Sequence, residues 1–191
     1  MNQQLRIGLV FLLLTLPFAQ VWADEYDDTI KVFKNAGESG TFFDKSYGYA
    51  VFPTIGKGGI GIGGAYGKGR VYARGAYVGD TTVTQLSVGF QLGGQAYSQI
   101  IFFEDKRALD EFTGGNFEFG AEASAVAITA GASAEATTTG TSAGASGGKH
   151  DATTTTAGTE FHKGMAVFTV AKGGLMYEAS IGGQKFSYTP K

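Results

Sequence analysis

The sequence predicts a mainly β protein: an antiparallel, Gly-rich sheet that closes toward a barrel or sandwich and carries two short helices. Three observations predict this class. Gly accounts for 31 of the 191 residues, well above the usual share of about 7%. The chain also has 15 Phe and 9 Tyr, residues that favour strands. Finally, apolar residues alternate with polar residues or Gly over short segments that Gly pairs bound, which is typical of strands joined by tight turns.

The first 23 residues have the pattern of a cleaved export signal. Arg6 precedes an apolar run at 7–16, Pro17 ends that run, and 21–23 (VWA) fit a cleavage site before Asp24. The run is too short for a stable membrane-spanning helix; an uncleaved anchor is the alternative. The chain has no Cys, which excludes a lipid-modified Cys, disulfides and thiolate metal sites. We expect 24–191 to form a single periplasmic domain, peripheral to the inner or outer membrane.

Two short helices are predicted from apolar spacing. Residues 24–35 place Tyr26, Ile30 and Phe33 on one face. Residues 105–112 place Ala108, Leu109 and Phe112 on one face, and the Gly pair at 114–115 ends that helix.

The predicted strands are read from period-two alternation. Residues 84–92 alternate apolar and polar positions, and 96–103 end in an apolar run that is typical of a strand buried on both faces. A tight turn is predicted at 67–69. A Thr/Ala/Gly/Ser-rich loop of low complexity is predicted at about 131–160. The other predicted strands are 60–66, 70–78, 121–130, 164–171, 174–182 and 184–188.

Positive charge is concentrated in one Gly-rich segment. The window 45–79 holds five basic residues and no Asp or Glu, whereas the rest of 24–191 has a formal charge of −8. Such segregation can guide association with anionic surfaces. We therefore predict a site for an anionic partner at Lys57, Lys68, Arg70 and Arg74. A solvated strand face without a partner is the alternative.

Motifs for catalysis fail their context tests. G-x-S-x-G occurs at 140–144 and 144–148, near His150, but Thr/Ala/Gly repeats flank both matches instead of a strand and a helix. G-x-G-x-x-G at 56–61 and 59–64 opens no helix. His150 and His162 lack metal-site spacing, and Glu118 with Glu122 is interpreted as a solvated pair. We predict no enzyme activity, no cofactor and no metal site.

Several linked segments resemble the SYLF domain family. They are 50–53 (AVFP), 57–69 (KGGIGIGGAYGKG), 87–98 (SVGFQLGGQAYS) with 101–103 (IFF), and 172–176 (KGGLM) with 182–185 (GGQK). The resemblance covers about 33–188, in the family's order.

The resemblance implies a lipid-binding module without catalytic residues. Eukaryotic members bind phosphoinositides and some contact actin, and bacterial members are exported. The chain departs from the family mainly at 131–160, and its N-terminal helix is acidic where eukaryotic relatives suggest a basic amphipathic one. Our hypothesis is reversible binding to anionic phospholipid headgroups through Lys57, Lys68, Arg70 and Arg74.

Two other classes of protein stay open. One is a small outer-membrane β-barrel, which the length and strand number suit, although the 105–112 helix interrupts the meander and the C-terminus lacks an aromatic residue. The other is an envelope structural or interaction protein. No feature of the sequence identifies a lipid species, an oligomeric state or a protein partner.

Overall fold

The structure is a computed structural model that describes residues 24–89, 95–121, 123, 125–128, 160–172 and 181–191. The predicted signal peptide at 1–23, nearly all of the predicted loop at 131–160, and most of the predicted strand 174–182 lie outside the described residues.

Four short helices occur in the described part of the chain. They are α1 (Glu25–Asn35), α2 (Gly37–Gly40), α3 (Phe42–Lys45) and α4 (Lys106–Thr113). The two predicted helices are confirmed as α1 and α4, and α2 and α3 are additional single turns. Asp24 and Asp105 cap α1 and α4 through side-chain acceptors. None of the described helices is long and apolar enough to cross a bilayer.

One sheet contains the strands of the described residues, and the mainly β class is confirmed. The strands are β1 (Gly48–Ala73), β2 (Ala76–Gly89), β3 (Gln95–Phe103), β4 (Val126–Ile128), β5 (Met165–Lys172) and β6 (Gln184–Pro190). Their order is β4-β5-β3-β1-β2-β6. All pairs are antiparallel except β4–β5, which is parallel, so the sheet is mixed. Closure into a barrel or sandwich is not seen among these strands and stays a prediction.

The long strand β1 folds back so that its two arms lie side by side. The Arg74 amide donates to the Tyr47 carbonyl at 2.9 Å, and Gly67 lies against Thr54 and Ile55 of the first arm. The first arm pairs with β3 and the second with β2. With the arms counted separately, seven strands lie side by side.

The predicted turn at 67–69 is wrong. Those residues lie inside β1, and the chain turns instead at Arg74 and Gly75, which both have positive φ. Gly67 and Gly69 serve close packing within the sheet, because a Cβ on Gly69 would lie 2.6 Å from the Phe52 ring. A Gly-rich strand and a Gly-rich turn look alike in sequence, and here tertiary packing decides between them.

Each face of the sheet has its own hydrophobic core. One face, called here the α4 face, is covered by α4; its buried side chains include Phe52, Ile55, Val71, Phe103 and Phe112. The opposite face, called the α1 face, is covered by α1 and α3; its buried side chains include Ile30, Phe33, Phe42, Phe102 and Phe168. Because β3 and β5 pack between these cores, their side chains are buried on both sides, as predicted for 96–103.

Strand β2 reverses the burial that its alternation suggests. Gln85 is 6% exposed, whereas Leu86 is 86% exposed. Val83 belongs to the core of the α4 face, and residue 85 shares that side by period two. The Gln85 amide donates to the Gly182 carbonyl at 2.8 Å, which offsets part of the cost of burying it. Phe90 and Leu92, which are predicted to share the face of Leu86, lie outside the described residues.

Candidate functional site

The four predicted site residues all lie on β1 or on the turn that follows it, but they do not form one patch. Lys57 follows Ile55 by two positions and shares the α4 face with it. Lys68 and Arg70 alternate with core residues of the α4 face and therefore lie on the α1 face. Arg74 is in the turn between β1 and β2. The structure brings Lys68 and Arg70 together and separates Lys57 from both.

Lys68 lies on an exposed part of the α1 face of the sheet. This part is called here the outer face, and it consists of Tyr66, Lys68, Thr82, Thr84 and Leu86. Lys68 is opposite Thr82 and Tyr66 is opposite Thr84 in the antiparallel ladder, so these side chains point to the same side. Leu86 is diagonal to Tyr66. Tyr66 is 52% exposed and Leu86 is 86% exposed. This face therefore carries an exposed cation next to an aromatic side chain, with an aliphatic side chain further along it, opposite Gly64.

Arg70 is held by the N-terminus of α1. Its guanidinium donates to the Asp24 carboxylate, and it lies 4.1 Å from the Tyr26 ring centre and 5.5 Å from that of Tyr77. Such stacking is attractive because the aromatic faces are electron-rich. Arg70 is therefore the predicted site residue that already has an anionic partner within the chain.

The same contact shifts the ionisation of Asp24. Partial burial by itself acts to raise the pKa of the Asp24 carboxyl, but the hydrogen bonds from Arg70 and from the Tyr26 amide, with the Arg70 charge, hold that pKa below its usual value of 3.8. Asp24 has two roles, because it also caps α1 through the Tyr26 amide at 3.2 Å.

Arg74 and Lys57 have different surroundings. The Arg74 guanidinium lies 4.9 Å from the Tyr47 ring centre, and the residue is exposed at the turn. Lys57 is half-buried and is opposite Gln95 of β3. Neither residue, nor Lys68, has an ion pair within the described part of the chain. Three of the four predicted cations thus have no carboxylate partner there.

A second pair of contacts holds the start of α1 on the sheet. Glu25 accepts from the Thr54 hydroxyl at 2.9 Å, and Lys172 at the end of β5 lies 3.4 Å from the Glu25 carboxylate. The acidic start of α1 thus pairs with two cations, Arg70 and Lys172. Sequence reasoning noted the acidity of this helix but missed these partners, since no local spacing links residues so far apart in the chain.

A buried polar cluster lies on the α4 face, and sequence reasoning missed it too. Gln99 and Gln184 exchange amide hydrogen bonds of 2.9 and 3.1 Å, and Gln184 also donates to the Tyr97 hydroxyl at 3.1 Å. Burial raises the pKa of Tyr97 to about 12. Thr169, opposite Gln99 on β5, is fully buried, and its hydroxyl has no partner among the described residues. Pairing both Gln side chains offsets their desolvation.

The groups considered for catalysis or metal binding are not assembled in the described part of the chain. It contains no cluster of three or more His, Asp or Glu side chains that could hold a metal ion. Glu118 pairs with Lys185 at 3.5 Å, and His162 is exposed. Glu122, His150 and both G-x-S-x-G matches lie outside the described residues.

Comparisons with known proteins match this chain to one family. The family model Ysc84, described as Las17-binding protein actin regulator, matches residues 84–189. Beta cell expansion factor A from Aeromonas veronii, a SYLF-family protein, is 28% identical over 160 residues. That alignment covers 82% of this chain and 51% of the relative, so the chain spans about half the length of the curated relative it matches.

Proposed function

Because this chain belongs to the Ysc84 (SYLF) family, which is linked to lipid binding, we propose that it binds anionic phospholipid headgroups as a non-enzymatic module of the bacterial envelope. The observation that carries the proposal is the outer face. There Lys68 is exposed, has no ion pair in the described part of the chain, and lies two positions from exposed Tyr66 on the same side of β1. Exposed Leu86 lies further along the same face, opposite Gly64.

Each component of this surface suits a bilayer interface. A Lys near an anionic membrane contributes about 1 kcal/mol. Tyr places an apolar ring and a polar hydroxyl where water meets lipid. Full burial of a Leu side chain contributes about 1.5–3 kcal/mol, so partial insertion of Leu86 adds to the charge term. The surface as a whole supports weak, reversible binding.

The other three predicted cations differ in how readily a lipid headgroup can reach them. Arg74 is exposed at the turn after β1 and is available to a second headgroup. Arg70 lies beside Lys68 but must exchange Asp24 for a lipid phosphate. Lys57 is on the opposite face of the sheet, so it contributes through the long-range field and not through the same contact.

Vesicle cosedimentation tests the proposal. Purified protein is mixed with vesicles of phosphatidylglycerol and phosphatidylethanolamine, or with phosphatidylcholine alone, from about 0.05 to 0.5 M salt, a range over which exposed charges become screened. We expect binding to the anionic vesicles that weakens with salt, and little binding to phosphatidylcholine. Equal binding to both contradicts headgroup recognition. No binding to either contradicts the function and favours a protein-interaction role, which is what the family description names.

Export is a separate part of the proposal and has its own test. The pattern at 1–23 supports cleavage before Asp24. We expect the protein in the fraction released by osmotic shock, with a mass that corresponds to 24–191. Recovery of the uncleaved chain in the cytoplasm contradicts the proposed localisation, while leaving the lipid-binding test unaffected.

A further inference from the structure

We infer that the acidic start of α1 is an autoinhibitory contact, because it occupies Arg70 in place of a lipid phosphate and is displaced when the protein binds an anionic membrane. The inference rests on the proposed function, and it deepens it by identifying an intramolecular competitor for the same surface. Arg70 follows Lys68 by two positions on the same side of β1, so an anionic headgroup at the outer face lies next to the Asp24–Arg70 pair.

The pair is open to competition. The Arg70 side chain is 33% exposed and that of Asp24 is 39% exposed, so a headgroup can approach without unfolding of the sheet. A carboxylate and a phosphate offer Arg the same kind of charge-assisted hydrogen bonds. Half-exposed pairs are weak, and at a membrane surface the local concentration of phosphate is high.

Glu25 of α1 also pairs a carboxylate with a cation of the sheet. Glu25 lies 3.4 Å from the Lys172 ammonium group and accepts from Thr54. Lys172, whose ammonium group also donates to the Thr54 hydroxyl at 2.7 Å, is therefore another cation that α1 pairs with a carboxylate. Release of the Asp24 and Glu25 carboxylates frees Arg70 and Lys172 together. It adds two unpaired cations to a face on which Lys68 is already exposed.

The part of α1 that moves is limited by its packing. Ile30 and Phe33 are buried in the core of the α1 face, and Tyr26 packs against that core. Asp24 and Glu25, by contrast, hold the helix start by polar contacts. We infer that the Asp24 and Glu25 carboxylates release their partners while Tyr26 and the rest of α1 stay docked. By linkage, weakening the contact between α1 and the sheet must strengthen membrane binding, and membrane binding must weaken that contact by the same factor.

Two variants isolate the contact. Asp24→Asn removes the charge that pairs with Arg70, yet Asn remains a good helix N-cap. Asp28→Asn is the matched control, because it removes the same charge from the same helix, where Asp28 forms its ion pair in the described part of the chain with exposed Lys31. We expect Asp24→Asn to raise the affinity for phosphatidylglycerol vesicles about two- to fivefold, the range that a half-exposed ion pair accounts for, with a smaller gain in Asp28→Asn.

Amide hydrogen exchange of the purified wild-type protein provides the second readout, with its N-terminus verified by mass spectrometry. On adding vesicles we expect faster exchange in the first turns of α1 and unchanged exchange in β3. Vesicle binding with no change in α1, together with equal affinities of the two variants, overturns the inference and leaves the proposed function standing. Absence of vesicle binding in wild type and in Asp24→Asn overturns both.

Discussion

Single glycines of β1 have different physical roles, although the sequence presents them as one Gly-rich run. At Gly69 a Cβ would lie 2.6 Å from the Phe52 ring and 2.9 Å from a Thr81 methyl group. At Gly56 nothing lies within 4 Å of a Cβ. The first glycine lets the two arms of β1 pack against the core, and the second is in open space.

Replacement of these two glycines by Ala should therefore affect stability to different extents. We expect Gly69→Ala to lower the free energy of unfolding by about 1–3 kcal/mol, the usual effect of overpacking a core. Gly56→Ala should change it by less than about 0.5 kcal/mol, as at other open surface sites. Urea unfolding measures both values. Equal effects of the two substitutions would show that Gly69 does not pack as described.

Leu86 is the residue whose position most strongly indicates a function beyond the fold. Because it is 86% exposed, its replacement should leave the fold intact. We expect Leu86→Ser to keep the free energy of unfolding within about 0.5 kcal/mol of wild type. Affinity for anionic vesicles should fall by about tenfold or less, in line with partial burial of one Leu. A loss of stability with unchanged vesicle affinity would place Leu86 in the fold and not at the membrane.

At the scale of elements, sequence reasoning found those whose signal is local. The caps and apolar faces of α1 and α4 are short-range patterns, and the boundaries agree closely. The two arms of β1 are different, because whether Gly67 and Gly69 turn the chain or pack against Phe52 depends on residues that are distant in sequence. For the same reason Lys68 and Arg70 could be predicted as cations, but the pairing of Arg70 with Asp24 could not.

The attachment of α1 should depend on pH through Asp24. Its pKa is lower in the folded protein than the usual value of 3.8, so its contribution to stability is present above about pH 4 and is lost as the pH falls through the folded-state pKa. We expect Asp24→Asn to be less stable than wild type in urea unfolding at pH 6, and the difference to close below about pH 4. A difference that is constant from pH 6 to pH 3 would mean that the Asp24 charge does not stabilise the helix.

In the whole molecule, the positive charges that the sequence concentrates at 45–79 are spread over both faces of the sheet. The five cations of 45–79 do not converge, because β1 folds back and its alternation sends Lys57 and Lys68 to opposite faces. A count of charges along the sequence cannot show this separation. The face on which Lys57 lies depends on the irregularity in the strand between Phe52 and Ile55. The family and the mainly β class could be predicted from sequence, whereas the outer face required the register of β1 with β2.

If the outer face binds anionic lipid, a pair of charge reversals on the two faces of the sheet should differ in their effect on vesicle affinity. Lys68→Glu changes the charge on that face, and Lys106→Glu makes the same change on α4, which covers the opposite face of the sheet. We expect the affinity for phosphatidylglycerol vesicles to fall about ten- to thirtyfold in Lys68→Glu, at about 1 kcal/mol for each charge removed or added, and much less in Lys106→Glu. Equal losses in the two variants, or none in Lys68→Glu, would contradict lipid binding at the outer face.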